Sequence, residues 1–184
     1  MICVALPESS ARKLGLPLMN PGVEKSPLVF TVSVEARAGV TTGISAADRA
    51  RTIKVLATTE SPRLDLVMPG HVFPIQVKDG GVLVKNAAPE AAVDLLKMAD
   101  QPPFATISHI LNSQGEFISE DNAQSLSSKL KLPIVNVSEV LEKRLSAEVV
   151  VDLVSRSTLP LKGCLLYTSP SPRDATLSRM PSSA

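Results

Sequence analysis

The chain reads as an α+β protein, an irregular α/β arrangement in which a mixed sheet packs with helices. Three observations predict it. Phe30-Thr31-Val32-Ser33-Val34-Glu35 alternates large and polar residues, as a half-buried strand does. Other segments place apolar residues at helical spacing behind capping residues. Strand-like and helix-like segments follow one another without the strict alternation of a parallel, doubly wound sheet.

Met1 opens directly onto Ile2-Cys3-Val4-Ala5-Leu6, an apolar run that looks like the inside of a strand. The expectation is that the natural start lies upstream; no signal peptide is visible in the sequence, and a transit peptide is not observable. A second strand is expected over Leu28 to Glu35. Ser45 with Asp48 three residues on has the shape of a capping box, so a helix is expected from Ala46 to Ala57 with Ala50, Ile53 and Ala57 on one face. Val72 to Val77 and Val82 to Lys85 flank Lys78-Asp79-Gly80-Gly81, the pattern of a hairpin. Pro89 suits the first position of the next helix, with Val93, Leu96 and Ala99 inward. Phe104 to Leu111 reads as a strand. Ser119 to Leu130 reads as a helix with Ala123, Leu126 and Leu130 on one side. Ile134 to Val137 reads as a short strand, and Ser138 caps a last helix through Leu145.

The body is expected to span residues 1–148. Residues 149–163 read as a linker or the start of a further domain. Cys164 to Ala184 is rich in Ser, Pro and Arg and has no apolar period. It reads either as a disordered tail or, in the reading favoured here, as translated sequencing adapter that takes no part in the fold.

The 184 residues suffice for one domain with its own core. Aromatic residues are only 3% and Trp is absent, so that core must be built from Val, Leu, Ile, Ala and Met. A net charge of +1 with no basic stripe argues against a nucleic-acid surface. No apolar run reaches the roughly 18 residues of a membrane helix. Two cysteines, Cys3 and Cys164, are too few for a disulfide framework and point to a reducing compartment, cytoplasm or plastid.

Function is most legible at Val40 to Arg49, V-T-T-G-I-S-A-A-D-R. A strand enters this stretch and a helix leaves it. Two threonines and a glycine sit where a helix N-terminus exposes unpaired N–H groups, and such a junction binds phosphate.

Seven segments in order resemble 3,4-dihydroxy-2-butanone 4-phosphate synthase, a riboflavin-pathway lyase. They are Ile2 to Leu6, Leu14 to Met19, Phe30 to Val34, Gly39 to Arg49, P-G-H-V-F-P at Pro69 to Pro74, Gly80 to Leu83 and Glu90 to Leu95. Ser155 to Gly163 resembles, more faintly, the start of a GTP cyclohydrolase II domain, which suggests a piece of a bifunctional protein. The resemblance implies conversion of ribulose 5-phosphate to the butanone phosphate with loss of formate. It also implies Mg²⁺ and a site at a homodimer interface. Enolisation and a skeletal shift need a cation on the sugar oxygens, acid and base groups and a phosphate cradle.

Carried over by resemblance, His71 is the catalytic residue, a proton shuttle of the kind an imidazole suits. From spacing alone it is a turn histidine after Gly70. Thr41 and Thr42 match substrate contacts, and equally cap and fill a turn. Asp48 and Arg49 match too, with a helix cap and a surface ion pair as the plainer account. Cys3 matches a cysteine close to the substrate, or is a small buried hydrophobe. Lys85 stands for an arginine and keeps its charge without the bidentate fork.

The departures weigh against the lyase. The loop of acids that the resemblance places ahead of the first strand would lie before Met1, which a truncated start explains; the departures within the chain are not explained that way. The position of a metal-binding histidine holds Ala88, and a threonine is replaced by Pro89, which lacks an N–H. A glutamate position aligns with His109, which cannot stand in for a carboxylate. The expectation is therefore no Mg²⁺ site of the family type. Three readings follow: a diverged, non-catalytic synthase domain with a structural or dimerising role; an active synthase; or a module that binds a sugar phosphate without turning it over.

Overall fold

In the computed structural model, residues 1–20, 22 and 27–148 are described. The elements run β1 (Cys3–Pro7), α1 (Glu8–Lys13), β2 (Val29–Phe30), β3 (Val34–Ala36), α2 (Ala46–Thr58), α3 (Pro62–Asp65), β4 (Leu66–Val77), a 3₁₀ turn at Gly81–Leu83, α4 (Ala88–Met98), β5 (Ala105–Ile107), α5 (Glu120–Leu130) and α6 (Val137–Ala147). All lie in a compact unit, Met1–Val150. The predicted linker and the adapter-like tail fall outside the described residues. No described helix is long and apolar enough to cross a membrane.

Every residue of β1 is buried, as an unbroken apolar run requires of a central strand. It pairs parallel with β4, from Cys3 opposite Phe73 to Pro7 opposite Val77. On its other side it pairs antiparallel with β5. β2 and β3 both pair antiparallel with β4, so the sheet is mixed and has order β2-β4-β1-β5 with β3 also on β4. Alternation along β1 divides the core. Val4 and Leu6 join Ala11 of α1, Leu56 of α2, Val34 and Val72 on one face. Ala5 joins Val77, Ala105 and Val93 of α4 on the other. The expected α+β class with a mixed sheet is what the chain forms.

Several expectations for single elements are corrected. The Leu28 to Glu35 strand is broken into β2 and β3, because Pro74 on β4 has no N–H to offer a neighbour. Its phase is also inverted. Thr31 and Ser33 are buried and Phe30 and Val32 are not, because Thr31 N–H donates to Pro74 O and Ser33 Oγ accepts from Gly70 N–H. In α2 the inward residues are Asp48, Thr52 and Leu56. Ala50 is exposed and Ile53 and Ala57 are half-buried. The Thr52 hydroxyl sits between Ala36 N–H (3.1 Å) and Asp48 O (3.0 Å), so a sheet-edge donor decides that face.

The hairpin after Val77 does not form. β4 already has β2 on one side and β1 on the other at this end, with Gln76 opposite Val29 and Val77 opposite Pro7. Val82 to Lys85 instead continues the 3₁₀ turn, with Val82 N–H donating to Asp94 Oδ2 at 2.9 Å. Pro89 is the second residue of α4, and Ala99 is exposed. The strand at Phe104 to Leu111 shortens to β5. Leu130 of α5 is exposed rather than inward. The short strand expected over Ile134 to Val137 does not form either, and Val137 opens α6 instead. Asn136, not Ser138, precedes that helix, its N–H donating to Glu139 Oε2 at 2.7 Å.

Candidate functional site

The register of β3 on β4 skips. Val34 faces Val72, but Glu35 faces Val67. Met68, Pro69, Gly70 and His71 therefore have no partner on β3 and are extruded as a bulge, a device that re-aims side chains. Gly70 makes the bulge fit. A Cβ there would lie 2.2 Å from the carbonyl carbon and oxygen of Val34.

His71 closes the bulge. Its Nδ1 lies 3.0 Å from Glu35 Oε2. The imidazole side chain is 45% exposed while the carboxylate is 15% exposed. An acceptor-only carboxylate at Nδ1 calls for the proton there and leaves Nε2 for other partners. Glu35 reads from sequence only as a polar strand position. Its contact with His71 spans 36 residues and a register skip, so no local pattern announces it.

The loop ahead of α2 folds around Asp48. Asp48 Oδ1 accepts from Thr41 N–H at 3.2 Å, and Oδ2 accepts from Thr41 Oγ1 at 2.9 Å and Gly43 N–H at 3.1 Å. Ser45 Oγ accepts from Asp48 N–H at 3.0 Å, which is half of the expected capping box. The other half is diverted, since the carboxylate reaches the loop instead of the helix end. The Thr41 hydroxyl, with the remaining donors, holds the Asp48 carboxyl below the usual carboxylate range. Two N–H groups expected to face a phosphate are thus already occupied by a carboxylate. Gly43 lies against the other acid. A Cβ there would fall 1.7 Å from Glu35 Oε1, and its φ is +75°. Residues 41–43 are therefore held between Asp48 and the Glu35–His71 pair. Thr42 is exposed, and its hydroxyl has no partner among the described residues.

Cys3 is 6% exposed and opposite Phe73, two residues along β4 from His71. Burial pushes its thiol up, which disfavours the reactive thiolate. Lys85 is engaged elsewhere. Its Nζ donates to Pro27 O at 2.5 Å and lies 3.4 Å from Glu90 Oε1. Nothing in the described contacts joins Lys85 to His71. His109 is exposed and tilts against Phe117 at a centroid distance of 4.9 Å. Among the described residues no three of His, Cys, Asp and Glu gather to hold a metal ion.

The comparisons agree on a family. Residues 1–143 match the model described as 3,4-dihydroxy-2-butanone 4-phosphate synthase. The enzyme of that name from Pseudomonas syringae pv. tomato is 37% identical over 161 residues, 87% of this chain and 44% of the relative. A probable bifunctional riboflavin biosynthesis protein, chloroplastic, of Oryza sativa subsp. japonica is 35% identical over 88% of this chain and 30% of its own length. This chain thus spans less than half of either relative. Among solved structures, a two-domain 3,4-dihydroxy-2-butanone 4-phosphate synthase from A. baumannii superposes with a TM-score of 0.78 at 29% identity, over 88% of this chain and 48% of that one. A synthase in complex with two magnesium ions superposes at 0.70 and 27% identity, over 79% and 74%. On the sequence match and the shared fold together, the chain belongs to the 3,4-dihydroxy-2-butanone 4-phosphate synthase family.

Proposed function

We propose that this chain keeps the synthase fold and a face for ribulose 5-phosphate but not the formate-releasing chemistry, within a protein of riboflavin biosynthesis. The observation that carries the reading is the start of α4. There Ala88 and Pro89 occupy the positions at which the resemblance places a metal-binding imidazole and a threonine. A methyl group ligates nothing. Glu90, the nearest acid, is 1% exposed and faces Lys85 rather than a second ligand. His109 stacks on Phe117 where a carboxylate is implied. The residues present do not fit the family's magnesium.

On this reading His71, steadied by Glu35, hydrogen-bonds a sugar oxygen through Nε2. Thr42 offers a free hydroxyl to the phosphate. Thr41 acts through Asp48, which shapes the loop. Cys3 supplies apolar lining, and Lys85 contributes charge already half-neutralised by Glu90. Calorimetric titration with ribulose 5-phosphate tests the reading. Saturable binding is expected, unchanged by Mg²⁺ and about tenfold weaker in His71→Ala, the loss of one hydrogen bond. Binding that needs Mg²⁺, or no binding by the folded protein, contradicts it.

A pairing role is favoured by α5, which buries no residue, and by the exposed Phe117, Leu130, Leu132 and Ile134 around it. Apolar area of this extent suits a second copy of the chain. Light scattering is expected to give the mass of two chains, and a single-chain mass contradicts the pairing.

A further inference from the structure

A second concave surface lies away from His71, along the other half of α2. It is an open cleft of about 510 Å³ between α2, the turn after β3 and the segment leading into α3. Three cations line it: Arg37, Arg51 and Lys54. The Arg37 guanidinium is set in place by backbone carbonyls, donating to Leu64 O at 2.8 Å and Leu66 O at 3.3 Å. Arg51 and Lys54 are one helical turn apart on the same exposed face. Neither side chain has a hydrogen bond or ion pair within the described residues.

That arrangement is unfavourable as it stands. Like charges three residues apart on a helix repel. Two acids also line the cleft. Among the described residues Glu60 makes no ion pair with Arg51 or Lys54, and Asp65 Oδ2 is taken by the Thr59 hydroxyl at 2.6 Å. Gly39, at φ +79°, leaves room for the Arg51 side chain beside the backbone, since a Cβ there would come within 3.2 Å of Arg51 Nε.

We propose that this cleft is a binding site for a phosphate-type anion, with Arg51 and Lys54 as its direct contacts and Arg37, tied to backbone carbonyls, forming part of its wall. Guanidinium and ammonium groups on one side of a concavity are the donor set that phosphate oxygens select. The site is separate from the His71 face. Its loop connection runs through Gly39 to Thr41, so an occupant steadies the segment that Asp48 also holds.

The test is a titration of the full chain with inorganic phosphate, followed by amide and Arg side-chain NMR signals. Saturable shifts are expected at Gly39, Arg51, Lys54 and Thr58, in the millimolar range. The double variant R51Q/K54Q is expected to weaken binding by about tenfold or more while its other signals and thermal midpoint stay unchanged. Lys143→Gln on α6 serves as the control for loss of a surface charge and is expected to change nothing. A parallel titration with a phosphate monoester separates the sources. Tighter binding of the ester to the same residues marks an organic phosphate as the occupant, and equal binding marks the free anion. Shifts that do not saturate, or that survive in R51Q/K54Q, overturn the proposal.

Discussion

At the residue scale, Asp48 decides more of the candidate site than any residue named for chemistry. One carboxylate takes the N–H groups of Thr41 and Gly43 and the Thr41 hydroxyl. Its folded pKa is lowered, so the stability it contributes is present above the unfolded value near ~4 and is lost as pH falls through the folded value. Asp48→Asn is therefore expected to destabilise the protein at neutral pH and to flatten the acid limb of its stability curve. Thermal melts between acid and neutral pH check this, and an unchanged acid limb contradicts it. The sequence shows the cap, because Ser45 and Asp48 stand at the right spacing. It does not show which partner the carboxylate chooses, because that depends on how the loop folds back. Glu35 illustrates the same limit, since its partner His71 is fixed by a register skip on another strand.

At the element scale, periodicity identifies helices well and their inward faces less well. The existence of α2, α4, α5 and α6 is legible from caps and spacing. The face of α2 is not, because the buried edge of β3 asks for the Thr52 hydroxyl where spacing alone predicts an apolar residue. The end of β4 behaves alike: a glycine-rich turn suggests a hairpin, but both edges of the strand are already occupied. What replaces the hairpin is a tie between helices. Asp94 of α4, 1% exposed, accepts from Val82 N–H and from Arg144 of α6 at 2.7 Å. The same guanidinium reaches Gly80 O and Glu148. Asp94→Ala leaves the Val82 N–H without its acceptor and removes one of the partners of Arg144, which keeps Gly80 O and Glu148. Its expected cost is about 1–3 kcal/mol, read as a fall in the urea midpoint. A loss under about 0.5 kcal/mol, typical of a surface position, contradicts the tie.

At the scale of the whole molecule, the fold class, the family and the central strand are legible because long apolar runs and ordered motifs survive divergence. The mixed sheet with α1 and α2 on one face and α4 on the other follows from the burial of β1 on both sides. The function is harder to read, because membership of the family and possession of its chemistry rest on different residues. The scaffold needs Val4, Leu6, Leu56 and Val93, and all are buried in the core. On the proposed reading, the lyase needs groups that Ala88, Pro89 and His109 cannot supply. The measurement that tests this most directly is formate release from ribulose 5-phosphate and Mg²⁺ by the purified, folded protein, with an active synthase as reference. No formate above the uncatalysed background is expected. Formate at a rate comparable to the reference shows that other groups replace Ala88 and His109, and contradicts that expectation.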